Sequence, residues 1–308
     1  MSTAYAMWLT CRPYLMFVSG AAGLVGLALA HPSIARVLPA FVALFASYGL
    51  GQALTDVFQT DTDALSAPER PLVQGTIDKR TVLIASLGGL AVCAAVIVAL
   101  APSAALPAVI SVAMLATYTP LKRRWWGGPP WNSAVVALLP LLGCIAGGTA
   151  LAQALADKAV LAAVVSSFGT YAVFVLLGYL KDVDADRATH YNTIAVRFGR
   201  RAAIIGSAAF AGPGLAASVW LIEPRLAPSA GAILWAVGVV VLIVAHLLAW
   251  RSKSDADAWP GIQASVHGFV ALHLGEAALI EPKWTAAAWL LFAASIAAML
   301  RRPVRRQV

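Results

Sequence analysis

The sequence predicts an all-α membrane protein, a polytopic bundle of nine to ten transmembrane helices. Of its 308 residues, 60% are hydrophobic and only 12% are charged, whereas soluble domains carry about 25% charged residues. The apolar residues form runs of roughly 20, the length of a helix that crosses the hydrocarbon core. These runs are continuous and do not alternate, which argues against a β-barrel. We expect residues 1–308 to form one integral-membrane domain.

Ten apolar segments are predicted as helices along the chain. They cover approximately residues 13–31, 36–54, 81–101, 104–120, 133–153, 158–180, 202–222, 230–250, 261–280 and 285–301. The first has no convincing cleavage site, so we expect it to be retained as a helix. The ninth is the least apolar, because it contains Gln263, His267, His273 and Glu276. We predict that His273 and Glu276, three positions apart, form a polar pair inside the bundle; the alternative is a base for an acceptor.

The basic residues indicate how the chain is threaded through the membrane. With ten spans and a cytoplasmic N-terminus, eighteen of the 22 Lys and Arg residues fall on one side and four on the other. The positive-inside rule therefore favours ten spans with both termini in the cytoplasm. The net charge of +8 is explained by these loops, and no nucleic-acid partner is predicted. We expect a multi-pass protein of the cell inner membrane.

Two acidic stretches, residues 55–63 and 181–187, follow the second and the sixth apolar segments. In this topology both face the cytoplasm, where magnesium and diphosphate metabolites are found. Carboxylates at the mouth of a membrane bundle are costly unless cations lie among them. A single Asp here would be read as a solvated loop charge. Two clusters on one face, each beside Arg or Lys, instead indicate two halves of one divalent-metal site for a diphosphate.

Helical spacing predicts which carboxylates share a face. If the helix continues through the first stretch, Asp56, Gln59 and Asp63 lie in one stripe and Asp61 points elsewhere. In the second stretch Asp182 and Asp186 share a face. A hard cation such as Mg²⁺ would remove the repulsion within each set, and it bridges protein carboxylates to phosphates. The basic residues that would clamp the diphosphate are Arg70, Lys122, Arg123, Lys181 and Arg187.

Three motifs extend this interpretation. The first is Thr55-Asp56-x-x-Gln59-x-x-x-Asp63, followed by Arg70-Pro71-Leu72-Val73-Gln74-Gly75; the second is Asp182-x-x-x-Asp186, followed by Thr193-Ile194-Ala195-Val196-Arg197-Phe198-Gly199; between them stands Tyr118-Thr119-Pro120-Leu121-Lys122-Arg123. In order and spacing they resemble the motifs of the UbiA superfamily of intramembrane prenyltransferases. The resemblance runs from about Arg12-Pro13 to the 261–280 segment.

The resemblance implies helices around a central cavity, usually nine, so that the segment at about 285–301 is an extra C-terminal span. It implies two magnesium ions that hold an isoprenyl diphosphate between the acidic motifs. Ionisation of the allylic diphosphate would give a carbocation that an acceptor traps, with the tail in an apolar tunnel. The predicted catalytic and metal-binding residues are Asp56, Asp63, Asp182 and Asp186, with Gln59 and Asp61 as further metal ligands. The predicted substrate-binding residues are Thr55, Arg70, Tyr118, Lys122, Arg123, Tyr179, Lys181 and His190.

The first motif departs from the family pattern. Thr55 stands where the family has Asn, and Gln59 stands where it has a metal-ligand Asp. Because Gln offers a carbonyl oxygen but no charge, we expect the first half to bind its metal more weakly, unless Asp61 substitutes. These departures predict a divergent member of the superfamily.

The leading hypothesis is a magnesium-dependent prenyltransferase in the lipid bilayer. Its acceptor is unknown, aromatic or lipophilic. One alternative is a UbiA-type terpene cyclase, which traps the cation on the double bonds of its own substrate. A more distant alternative is a cation transporter or a lipid-binding membrane protein.

Overall fold

The computed structural model describes residues 1–302, which are helical without any β-strand. In chain order the helices are α1 (Thr3–Thr10), α2 (Met16–Ala30), α3 (Ile34–Val57), α4 (Thr60–Ser66), α5 (Lys79–Leu100), α6 (Ala105–Ala116), α7 (Tyr118–Lys122), α8 (Gly128–Gly147), α9 (Leu151–Ala156), α10 (Lys158–Gly178), α11 (Val183–Ala188), α12 (Ile194–Phe198), α13 (Arg200–Ile222), α14 (Ala230–Arg251), α15 (Trp259–Ile280) and α16 (Thr285–Leu300). Short 3-10 turns precede or follow several of them.

All ten predicted segments are helices, which confirms the predicted fold class. Within residues 1–302, eight helical stretches are long and apolar enough to cross a membrane. Two of the ten predicted segments fall outside this group. The first is α6, which has only 12 residues. The second is α15, which has 22 residues but carries several polar side chains.

The predicted bounds of the fifth segment need correction. Helix α8 begins at Gly128, ahead of the predicted 133, with Pro129 in its first turn; proline is favoured there because it lacks an N–H that the helix would leave unpaired. It ends at Gly147, before the predicted 153, because Gly148 adopts a φ of 121°. That left-handed conformation suits glycine and ends the helix. The fourth segment is likewise interrupted at Thr117, between α6 and α7.

The interior of the bundle is formed by α2, α8, α10 and α15, whereas α5, α13, α14 and α16 expose most of their apolar side chains. Small residues allow the inner backbones to approach closely, as is common between membrane helices. A Cβ atom at Gly26 of α2 would overlap the carbonyl oxygen of Pro140 in α8. Gly169 of α10 and Gly214 of α13 face one another in the same way.

The polar residues of α15 belong to a fully buried network. His273 Nδ1 lies 2.6 Å from Glu276 Oε2, and Thr170 Oγ1 lies 3.1 Å from His273 Nε2. Ser166 of α10 and Ser218 of α13 donate to Glu276 Oε1 at 2.8 and 2.5 Å. The predicted pairing of His273 with Glu276 is therefore confirmed. Neither residue lines the two cavities described for the site below, so the alternative of an acceptor base gains no support.

We expect Gly169→Ala to destabilise the bundle, because the new methyl group would meet the backbone of α13. Overpacking of this kind costs about 1–3 kcal/mol. Gly88→Ala is the matched control, since a Cβ atom at Gly88 has no neighbour within 4 Å; there alanine should be neutral or stabilise the helix by up to about 1 kcal/mol. Thermal unfolding in detergent measures both. Equal unfolding temperatures for the two variants would contradict the close approach of α10 and α13.

Candidate active site

The two acidic stretches have the same local architecture. Helix α3 ends at Val57 and α4 begins at Thr60, whereas α10 is followed by a 3-10 turn, Tyr179–Lys181, before α11 begins. The residues that precede the two short helices, Gln59 and Asp182, have almost the same backbone angles, φ −121° and ψ 15° against φ −119° and ψ 13°. The sequence left open whether one helix continues through the first stretch, and the structure shows that α3 ends at Val57. The short helices carry two Asp residues each in their first turn, where the helix dipole favours negative charge.

The predicted inward set of side chains lies together. Its members Asp56, Gln59, Asp63 and Asp182 line one cavity. Asp186 is buried beside that cavity, with its Oδ1 3.7 Å from Nζ of the lining residue Lys122. Gln59 and Asp63 lie four positions apart in the first stretch, as Asp182 and Asp186 do in the second, so each pair shares a helical face. These four residues and Asp56 are each at most 9% exposed. Helices α4 and α11 pack together, and Thr62 Oγ1 lies 2.8 Å from Thr189 Oγ1. The two acidic stretches thus form neighbouring walls of one site.

Asp61 lies outside this set. Its side chain is 42% exposed and pairs with Arg123 at 2.9 Å, at the outer surface of the site. The expectation that Asp61 replaces the missing carboxylate at position 59 is not supported, because its side chain points away from Asp56 and Asp63. Asp184 of the second stretch is also exposed, and it pairs with Arg187.

In the first half of the site, each oxygen ligand is paired with a cationic side chain. Arg12 Nη2 donates to both carboxylate oxygens of Asp56, at 2.7 and 2.6 Å. Arg70 Nη1 lies 2.5 Å from Asp63 Oδ2 and 3.6 Å from Asp56 Oδ1. Lys122 Nζ donates to Gln59 Oε1 at 2.9 Å. All three cations are buried.

Arg12 was not among the predicted site residues. It precedes a 3-10 turn and has a φ of 48°, a left-handed conformation that costs a residue with a Cβ atom about 1–2 kcal/mol. Its side chain is held by Asp56 and by Gln52, whose Oε1 accepts from Nη1 at 2.7 Å. The surrounding structure therefore fixes a strained backbone in order to place one guanidinium group in the site.

The second half is less completely paired. Lys181 Nζ lies 3.1 and 3.0 Å from the two oxygens of Asp182. Asp186 is fully buried, and its Oδ1 has no hydrogen-bond partner in the described part of the chain. The nearest cation, Lys122 Nζ, is 3.7 Å from that oxygen. Thr193 Oγ1 donates to Oδ2 at a long 3.4 Å.

The pKa of each carboxylate is set by the balance between its burial and its nearest cations, and the direction of the shift differs within each half of the site. Burial raises the pKa of Asp186 to about 6, because the attraction of Lys122 only partly offsets desolvation. Burial acts in the same direction on Asp182, but Lys181 and Lys122 outweigh it, so the pKa of Asp182 lies below its ordinary value. Burial also raises the pKa of Asp63 in spite of its pairing with Arg70.

Most of the predicted substrate-binding residues line one polar cavity of about 710 Å³. These are Thr55, Arg70, Tyr118, Lys122, Tyr179 and Lys181. Two predicted residues lie elsewhere. Arg123 is directed outward to Asp61 and packs over the ring of Tyr191. His190 is exposed on a left-handed turn, with φ 62°, and does not reach the cavity.

An apolar cavity of about 740 Å³ adjoins the polar one. The two share Gln52, Leu115, Asn132 and Tyr171 in their linings. The apolar cavity runs between α3, α5, α6 and α8, as far as Ala43, Ile97, Ala108 and Leu142. Nine residues of α3 separate Gln52 from Ala43, which corresponds to about 14 Å along the helix axis. Gln52 and Asn132 were not predicted as site residues. The one sequence signal for Gln52 is a polar side chain four residues before Asp56, on the same helical face.

The oxygen donors of the second acidic stretch suit a divalent cation. Carboxylate and amide oxygens are suitable ligands for magnesium, and Asp186 Oδ1 is a buried acceptor that still lacks a partner. No group of three or more His, Cys, Asp or Glu side chains within residues 1–302 is already arranged to hold a metal ion. The second half of the site therefore fits a cation, and the first half is occupied by side-chain cations.

The sequence profile of the UbiA prenyltransferase family matches residues 16–266. The chain belongs to this family. It is similar to the digeranylgeranylglyceryl phosphate synthase of Natronomonas pharaonis, with 31% identity over 250 residues, 78% of this chain and 85% of that protein. The family assignment confirms the predicted superfamily and the prediction that the protein is a prenyltransferase. It lends no support to a terpene cyclase or a transporter.

Two solved structures share the fold of this UbiA-family protein. One is the apo structure of a UbiA homolog from Aeropyrum pernix K1, with a TM-score of 0.70 and 19% identity, covering 92% of this chain and 98% of that chain. The other is a UbiA homolog from Archaeoglobus fulgidus bound to DMAPP and Mg²⁺, with a TM-score of 0.58 and 16% identity, covering 96% of this chain and 97% of that chain.

We expect Arg12→Gln to destabilise the protein and to abolish diphosphate release from a prenyl diphosphate. The substitution leaves the buried Asp56 carboxylate without its bidentate partner, and breaking a buried ion pair costs about 3–5 kcal/mol. Combining it with Asp56→Asn should recover much of the unfolding temperature but no activity.

Arg187→Gln is the control, because Arg187 forms an exposed pair with Asp184; such pairs contribute about 0–1 kcal/mol. Thermal unfolding and a diphosphate-release assay measure all four proteins. An Arg12→Gln variant that unfolds at the wild-type temperature would show that Arg12 does not hold Asp56 in place.

Proposed function

We propose that the protein transfers a prenyl group from an isoprenyl diphosphate to a lipophilic acceptor, at a magnesium-dependent site between the two acidic stretches. The observation that carries this proposal is the continuity of a charged cavity with an apolar one through Gln52, Leu115, Asn132 and Tyr171. An isoprenyl diphosphate has the same division into a charged head and an apolar tail.

The diphosphate head would lie in the polar cavity. Arg70, Lys122 and Lys181 line it together with Arg12, and their N–H groups can donate to phosphate oxygens. Asp56, Asp63, Asp182 and Asp186 are the proposed metal-binding carboxylates, with Gln59 as a further oxygen ligand. A magnesium ion would neutralise charge on the departing diphosphate. The two-ion arrangement implied by the family resemblance would place one ion at each acidic stretch.

The prenyl tail would extend into the apolar cavity. The hydroxyl groups of Tyr48 and Tyr171 lie 3.0 Å apart on its wall. Tyr118 and Tyr179 line the polar cavity with their hydroxyl groups 3.3 Å apart. Their aromatic rings are the groups best suited to stabilise an allylic carbocation by cation–π attraction, once the carbon–oxygen bond to diphosphate breaks. The acceptor would then form the new bond to that carbon and lose a proton.

The acceptor is proposed to be lipophilic and to bear a polar head. The similar archaeal proteins are named for the product digeranylgeranylglyceryl phosphate, so a glyceryl phosphate that carries one prenyl group is the first acceptor to test. We also propose that the site faces the cytoplasm. In support, Arg12, Arg70, Lys79, Arg80 and Lys122 all lie at the end of the bundle that holds the site or in its adjoining loops.

The test is a product analysis with the purified full-length protein. Geranyl, farnesyl and geranylgeranyl diphosphates are each incubated with magnesium, with and without the prenylated glyceryl phosphate or an aromatic acceptor. We expect diphosphate release that depends on an acceptor, with the prenylated acceptor detected by mass spectrometry. Asp182→Ala should lose this activity. Magnesium-dependent release that is unaffected by both Asp56→Ala and Asp182→Ala would show that the site is elsewhere.

We expect Ala108→Phe to select against long prenyl diphosphates. Ala108 is 6% exposed and lies at the far end of the apolar cavity, so a phenyl ring there shortens the space for the tail. The kcat/KM for geranylgeranyl diphosphate should fall at least about tenfold, the loss expected when about 1.4 kcal/mol of tail contact is removed, while that for geranyl diphosphate changes little.

Ala105→Phe is the matched control, since Ala105 lies on the same helix with its side chain exposed. An equal loss for both substrates in Ala108→Phe would mean that the tail lies elsewhere.

A further inference from the structure

We infer that the site holds one divalent cation, bound at the second acidic stretch, and that three fixed side-chain cations occupy the place of a second ion at the first stretch. The inference rests on the proposed function of the site as a diphosphate site. It departs from the two-ion arrangement of the family because of residues that belong to this chain. It also revises the ligand set given above, since Asp56, Gln59 and Asp63 become partners of side-chain cations instead of metal ligands.

Each metal-ligand candidate of the first half is already paired with a side-chain cation. Both oxygens of Asp56 accept from Arg12, Asp63 is paired with Arg70, and the one oxygen of the Gln59 side chain accepts from Lys122. A cation entering here would have to compete with a guanidinium or ammonium group at every ligand.

The side-chain cations of the first half are held in place. Arg12 is 5% exposed, Arg70 is 6% exposed and Lys122 is 6% exposed, so all three are enclosed by the protein. Arg12 is anchored a second time by Gln52 at 2.7 Å. The two carboxylates of this half face two guanidinium groups, and the Lys122 ammonium group lies between the two halves, at Gln59. The first half therefore carries no net negative charge that would attract a dication.

The second half differs from the first in the pairing of its ligands and in its net charge. Its two carboxylates, Asp182 and Asp186, face the ammonium group of Lys181 and, at a longer distance, that of Lys122. Asp186 Oδ1 lies 3.7 Å from Lys122 Nζ, too far for a hydrogen bond, and has no hydrogen-bond partner within residues 1–302. Magnesium commonly binds through one or two carboxylates together with substrate phosphates and water. The second half provides two carboxylates: Asp186, with one unpaired oxygen, and Asp182, whose two oxygens share the single ammonium group of Lys181.

Gln59 is the residue that makes the first half of the site differ from the second. It occupies in the first half the structural position that Asp182 occupies in the second, with nearly the same backbone angles, and each is followed four residues later by a buried Asp. An amide in place of a carboxylate removes one negative charge and leaves an oxygen that a lysine can approach. Lys122 takes up that oxygen at 2.9 Å.

The test counts the ions that are bound, and it uses Mn²⁺ in place of Mg²⁺ because both prefer oxygen ligands. The full-length protein in detergent is saturated with a non-cleavable geranylgeranyl thiolodiphosphate and titrated with Mn²⁺, and free Mn²⁺ is followed by electron paramagnetic resonance. We expect one tightly bound Mn²⁺ per chain and no Mn–Mn coupling. Two tightly bound ions per chain, or none, would overturn the inference.

Three variants locate the ion. Asp186→Asn should weaken Mn²⁺ binding at least about tenfold, whereas Asp56→Asn should leave the Mn²⁺ affinity close to that of the wild type. Gln59→Asp should bind a second Mn²⁺ and show Mn–Mn coupling. Gln52→Asp is the matched control, because it adds the same charge to the same cavity, where Arg12 pairs with it; it should still bind one ion.

The wild-type count decides the question even if a variant fails to fold. A wild-type protein that releases diphosphate with magnesium but binds two Mn²⁺ ions would refute only the single-ion site. A wild-type protein that binds no Mn²⁺ and releases diphosphate from no isoprenyl substrate would refute the proposed function as well.

Discussion

The site depends on the burial of four carboxylates at one end of an apolar bundle. An isolated carboxylate is too costly to bury, and Asp56, Asp63, Asp182 and Asp186 are each at most 9% exposed. Four cations from separate parts of the chain, Arg12, Arg70, Lys122 and Lys181, lie within 4 Å of them. These ion pairs hold together four parts of the chain: the turn before α2, the loop after α4, the short helix α7 and the 3-10 turn after α10.

Much of this structure could be predicted from the sequence, for a physical reason. A membrane span requires a minimum length of apolar chain, so hydropathy located the ten longer helices among the sixteen in residues 1–302. The four-residue spacing identified the inward carboxylates correctly, because Gln59 with Asp63, and Asp182 with Asp186, each stay within one helical turn.

The remaining features depend on contacts that leave no local signal. Arg12 reaches Asp56 across 44 positions, and only the left-handed turn before α2 brings it there. Lys122 and Arg123 are adjacent in one motif, yet one faces the cavity and the other faces outward. Neighbouring residues in a helix point about 100° apart, and the motif alone does not say which of them is inside. The sequence left the end of α3 at Val57 open, because Thr and Asp can continue a helix as well as begin one.

The buried network around Glu276 has a consequence for how the protein is assembled. An acidic side chain opposes the insertion of its helix into a bilayer, and α15 is less apolar than the eight stretches that could cross a membrane by themselves. The partners of Glu276, Ser166 and Ser218, belong to α10 and α13, which are synthesised earlier in the chain. Helix α15 therefore emerges from the ribosome after the groups that satisfy its carboxylate, and the order of the helices along the chain suits the order in which they can enter the membrane.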